Sequence, residues 1–150
     1  MDDMEMPEAC ARELTELAQA GMPVEVGGFI LLDWEIMTVK NTSKTPSRNF
    51  AMDDETLLDM MLYHKPELVG IFHSHPSLRN HPSEPDIVTM TLYPWLRHWI
   101  VTCTNVYEWR MAHDGPRPVR RDGSTGAEGM AYPVLTPPAT LRRQSGRTAA

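Results

Sequence analysis

The alternation of apolar and polar positions divides the chain into helical and extended segments. From Pro7 to Ala20 the apolar residues Cys10, Leu14, Leu17 and Ala18 recur at helical spacing, while Arg12, Glu13 and Glu16 fall on the opposite face. Pro7 suits a first helical turn, Glu8 suits the positive end of the helix dipole, and Gly21 can end the helix. Val26 to Leu32 is a short apolar run between Glu25 and Asp33, too short for a helix and rich in strand formers. Asp33-Trp34 turns the chain into a second strand, Glu35 to Lys40, and Asn41 to Asn49 reads as a loop. Asp53 to His64 predicts a second helix with Leu57, Leu58, Met61 and Leu62 as its apolar face, stopped by Pro66. Leu68 to Phe72 predicts a buried strand that delivers His73 at its end. Glu84 to Tyr93 predicts a third helix. Trp99 to Thr104 and Val106 to Met111 predict a hairpin with Asn105 in the tight connection.

The pattern fades after Asp114. Residues 115–150 combine Pro116, Pro118, Pro133, Pro137 and Pro138 with Gly, Ser, Thr and Arg, and offer few aliphatics to bury. The expectation is one folded domain over 1–114 and a Pro/Arg-rich, mostly disordered tail over 115–150. A chain of 150 residues is a one-domain length. The net charge of −6 gives no general affinity for nucleic acid or an anionic membrane. That charge is uneven, because 115–150 carries six Arg against Asp122 and Glu128, an excess of +4 that leaves −10 elsewhere. Cys10 and Cys103 are too few for a disulfide framework and lack a CxxC spacing. No apolar run approaches the ~20 residues of a membrane span, and no charged-then-apolar leader opens the chain. A reducing cytoplasm is the expected setting.

The candidate chemistry lies in His73-Ser74-His75-Pro76 and Ser83-Glu84-Pro85-Asp86. Residues i and i+2 of a strand point to one side, so both imidazoles can meet one ion. Asp86 adds a hard oxygen ligand, and two His with one carboxylate leave the fourth corner of a zinc tetrahedron open for water. Bound zinc lowers the pKa of such a water to about 7. Glu25 is the candidate general base that takes its proton. Each motif also has a plain structural reading. An HxH pair can be two surface or packing histidines, Ser83-x-x-Asp86 is also a capping-box-like helix start, and an acid before a strand is commonplace. His81 is either a substrate contact or a solvent-exposed side chain, and His64, His98 and His113 read as surface or packing residues. Cys103 reads as a core thiol.

Taken together, these residues resemble the JAMM motif of the MPN (Mov34/PAD-1) metalloprotease family: an upstream Glu, His-Ser/Thr-His, seven residues, Ser, two residues, Asp. Glu25, His73-Ser74-His75, the seven residues Pro76 to Pro82, Ser83 and Asp86 fill that pattern. Glu25 to Leu32 is similar to the family's Glu strand, and Asn41 to Met52, with Pro46 and Phe50, to the loop before its middle helix. The resemblance spans about residues 7–113. It implies an α+β MPN domain, a curved mixed sheet flanked by helices in a cytidine-deaminase-like architecture. It implies one catalytic zinc on His73, His75 and Asp86 with a water in the fourth position. Glu25 would be base and then acid, and Ser83 would help hold the oxyanion. The implied reaction is hydrolysis of an amide or isopeptide bond after the C-terminal tail of a ubiquitin-like protein, bound extended. Only ten residues separate His75 from Asp86, so the chain looks like a minimal prokaryotic or phage-type member. Three alternatives stand beside this reading: a non-catalytic MPN scaffold, a RadC-like protein associated with DNA, and a phage tail-assembly peptidase.

Overall fold

The computed structural model describes residues 4–119, with the backbone of two further short strands at 131–133 and 147–149. Among these residues three α-helices, α1 (Glu8–Gly21), α2 (Asp54–Tyr63) and α3 (Glu84–Leu92), flank one mixed sheet. Its strands are β1 (Gly27–Leu31), β2 (Glu35–Val39), β3 (Leu68–Ser74), β4 (Arg97–Val101), β5 (Asn105–Ala112), β6 (Gly115–Pro118), β7 (Ala131–Pro133) and β8 (Arg147–Ala149). Their order is β6-β5-β4-β3-β1-β2-β8, with β7 beside β6 on the outer edge of β5. β3 and β4 are parallel and joined through α3, β2 and β8 are parallel, and the other pairs are antiparallel. This is the expected α+β class with a mixed sheet and flanking helices. Among the described residues, no helix is long and apolar enough to cross a membrane.

α1 covers one face. Its stripe of Cys10, Leu14, Leu17 and Ala18 packs on Ile30, Ile36, Phe72, Trp99, Val101 and Val106. On this side Arg97 is buried against Glu108 and lies beside the rings of Trp34 and Trp99, with its guanidinium 5.3 and 5.0 Å from their centroids. Trp34 and Asp33 both take the left-handed conformation at the β1–β2 turn.

The other face carries α2 and α3 as two separate clusters. Phe29, Leu31, Val39 and Met60 form the first, with Phe50, Met52, Leu57 and Ile71 against them. Met90, Ile100 and Trp109 form the second. A one-residue bulge in β3 sets which residues meet which helix. Ile30 pairs with Gly70 but Leu31 pairs with Leu68, so Val69 is extra. Leu68 and Ile71 therefore share the α2 face, and Val69 and Phe72 share the α1 face. A side chain at Gly70 would run into Arg97 O, and its Cβ would sit 2.6 Å from Trp99, so the close β3–β4 approach requires glycine.

Three expectations are corrected. α2 buries Met60, while Leu58 and Leu62, expected on its inner face, are 58% and 62% exposed. The helix is rotated so that Leu57 and Met60 meet the sheet. The hairpin turn lies at 102–104 rather than at Asn105, because Thr102 Oγ1 accepts from the backbone N–H groups of Thr104 and Asn105 and closes the turn early. Gly115–Pro118, placed in the tail, is strand β6 paired with β5. Backbone pairing at a sheet edge tolerates Pro116 and Pro118 without an apolar pattern. Apart from the backbone of β7 and β8, residues 120–150 of the expected tail lie outside the described residues.

Candidate metal centre

His73 and Ser74 are the last two residues of β3, and His75 continues its pairing by donating its N–H to Val101 O at 2.8 Å. The two imidazoles project to one side, with Nε2 atoms 2.9 Å apart. Asp86, in the first turn of α3, brings Oδ2 to 3.1 Å from His73 Nε2 and 3.3 Å from His75 Nε2. Donors bonded to zinc at 2.0–2.1 Å in a tetrahedron stand about 3.3 Å apart, so this triangle has the size of a tetrahedral face. A carboxylate oxygen of Glu25 and the two histidine nitrogens all lie within 4.8 Å of one another. The donor set fits a metal ion, with Glu25 the more distant carboxylate.

The surrounding bonds fix these groups. His75 Nδ1 sits 2.7 Å from Arg79 O. A carbonyl can only accept, so Nδ1 carries the proton and Nε2 presents its lone pair to the centre. Asp86 Oδ2 also accepts from Ser83 N–H at 2.8 Å, and Ser83 Oγ accepts from Asp86 N–H at 3.3 Å. The capping box and the ligand geometry are therefore one structure, and the two readings of Ser83-x-x-Asp86 coincide. Ser83 keeps its hydroxyl proton free of this cap, at the edge of the site.

Glu25 is buried in the extended segment before β1. Its N–H donates to Pro46 O at 2.8 Å, and its carbonyl accepts from Asn41 Nδ2 at 2.9 Å. Asn41 Nδ2 also reaches Asn49 O, and its Oδ1 accepts from Ser43 N–H and Ala51 N–H, so one amide organises the loop that shelters Glu25. Ser74, between the two histidines, points away from them and is 1% exposed. Its Oγ accepts from Val26 N–H at 2.9 Å, while its N–H donates to Val26 O at 2.7 Å. These bonds set the Glu25 segment against β3. Neither clamp is marked by any sequence pattern, because a single Asn in a loop and a Ser between histidines are ordinary residues.

Burial pushes the Glu25 carboxyl up, and nearby His73 and His75 draw it only partly back. Burial also acts to raise Asp86, but hydrogen bonds from His73 and His75 outweigh it and hold this carboxyl far below the usual range. One carboxylate is thus a stable anion and the other a better proton acceptor, a division that suits ligand and base. Of the remaining histidines, His98 is buried, with Nε2 near Tyr93 O, and burial pushes it down to about 4. His81 and His113 are exposed, and His64 is half-exposed beside Asp59 and Glu67.

A mixed sheet that gathers two histidines and two carboxylates at the end of its parallel pair defines a JAB/MPN-type domain with a possible metal site. The chain belongs to the family described as prokaryotic homologs of the JAB domain, which matches residues 7–113. No curated protein matches it.

Proposed function

We propose that this protein is a zinc-dependent peptidase or isopeptidase that hydrolyses the amide bond after the C-terminal tail of a ubiquitin-like protein. The observation that carries the reading is the convergence of His73, His75 and Asp86 within 3.3 Å, with the buried carboxyl of Glu25 alongside. Zinc, when held by His73, His75 and Asp86, supplies Lewis acidity toward the substrate carbonyl and toward water. Glu25 takes a proton from the attacking water as its oxygen adds to the carbonyl carbon. It returns that proton to the amine nitrogen as the C–N bond breaks. Ser83 donates its hydroxyl to the developing oxyanion. With Cys10 and Cys103 as free thiols, the setting is the reducing cytoplasm.

The test is a panel of ubiquitin-like C-terminal fusions, assayed with and without chelator beside a Glu25→Gln protein whose zinc content is measured. One zinc per chain is expected in both proteins, with chelator-sensitive cleavage in the unmodified one alone. A zinc-loaded Glu25→Gln protein that cleaves at full rate overturns the role of Glu25. Purified protein that retains no zinc overturns the metal reading and favours a scaffold.

A further inference from the structure

The α2 and α3 clusters do not meet across the sheet, and a cavity of about 240 Å³ lies between them. Two metal-site residues, His73 and Asp86, form part of its wall. The rest is mostly apolar, with Phe50, Met52, Ile71, Met90, Ile100 and Trp109 contributing. We propose that this cavity is a specificity pocket for a large apolar side chain, of leucine to phenylalanine size, on a substrate residue flanking the scissile bond. The inference rests on the peptidase reading and names the class of residue its substrate carries.

Three observations support it. Sharing His73 and Asp86 with the metal site places the cavity within one residue's reach of the reacting carbonyl. Its volume is ample for a ring, since an apolar cavity of about 150 Å³ holds benzene. Its polar groups offer a charged side chain little. Burial keeps His98 neutral, and Asp86 is already engaged with His73, His75 and Ser83. A small residue leaves the lining unfilled and forgoes the burial energy of the larger one.

The experiment varies each residue flanking the scissile bond among Ala, Leu, Phe and Glu in a cleaved fusion. At one position kcat/KM is expected to rise about 10- to 100-fold from Ala to Leu or Phe, as full burial of such a side chain implies. Glu should do no better than Ala. Thr89→Phe, on the α3 wall, should bring the ratio of kcat/KM for the Leu or Phe substrate over the Ala substrate toward one, and Met52→Trp repeats the test from the opposite wall. A flat response at both positions in an active enzyme overturns the pocket. If no fusion is cleaved, calorimetry of the zinc-loaded protein with N-acetylphenylalanine amide and N-acetylalanine amide reads the pocket alone. Preference for the phenylalanine compound, lost in Thr89→Phe, supports the pocket even though the peptidase reading has failed. Equal binding, or none, overturns it.

Discussion

Replacing Ser83 with alanine separates its two roles by size. The cap bond from Asp86 N–H to Ser83 Oγ is 3.3 Å long, so its loss should cost about 1 kcal/mol of stability, mid-range for an N-cap. That loss should leave Asp86 in place, because its carboxylate is also held by the backbone N–H of Ser83, which the substitution preserves. A purely structural serine would then leave kcat almost unchanged. A hydroxyl that donates to the oxyanion is worth far more, about 10²- to 10³-fold in kcat. Urea denaturation and steady-state kinetics on Ser83→Ala, Ser83→Gly and Ser83→Thr resolve the two. Glycine at an N-cap costs only a few tenths of a kcal/mol relative to serine and has no side-chain donor, so it should keep most of the stability without restoring rate, while threonine should restore much of both. Wild-type kcat in Ser83→Ala or in Ser83→Gly would refute the oxyanion role and leave a helix cap.

Glu108→Ala should destabilise the fold by about 3–5 kcal/mol in chemical denaturation, because it strands the buried Arg97 guanidinium that Glu108 holds at 2.7 and 2.8 Å; a loss under 1 kcal/mol would show that Trp34 and Trp99 suffice. Burial, with a smaller contribution from Glu13, pushes the Cys10 thiol up to about 12. Native protein at pH 8 should therefore be alkylated at Cys103 and spared at Cys10 until it unfolds, as read by mass spectrometry. The folded state binds this thiol proton more tightly than the unfolded chain does. The resulting stabilisation is complete below the ordinary thiol pKa of 9.0 and is lost as pH rises from there toward about 12. A mutant Cys10→Ala should lack that part of the alkaline decline in stability.

What could be read from the sequence was whatever depends on spacing. His73 and His75 meet because alternate strand residues share a side, and Asp86 meets them because Ser83-x-x-Asp86 starts the next helix beside that strand end. Cys10, Leu14, Leu17 and Ala18 identified the buried face of α1 for the same reason. Features set by tertiary partners were not visible. Leu58 and Leu62 are as apolar as Leu57, and only the sheet decides which of them is covered. β6 is built from backbone pairing and carries two prolines, so its composition resembles a tail. The clamps of Asn41 and Ser74, and the cavity between α2 and α3, arise from residues distant in sequence that no periodic pattern links.

The bulge at Val69 works as a phase change in the chain. Leu68 and His73 are an odd number of positions apart, so in an uninterrupted strand they would face opposite ways, with the histidines turned toward α1. One inserted residue turns the remainder of β3 over. Deleting one residue between Leu68 and Gly70 would make that separation even, so a regular strand would present the histidines to the same side without a bulge. Smoothing the bulge at unchanged length would instead keep every ligand, its spacing and the whole motif, yet direct His73 and His75 into the apolar layer and leave Asp86 without them. Proteins with an intact motif can thus differ in whether they hold a metal, and the difference would lie in how a strand's irregularity matches its length rather than in the identity of any ligand.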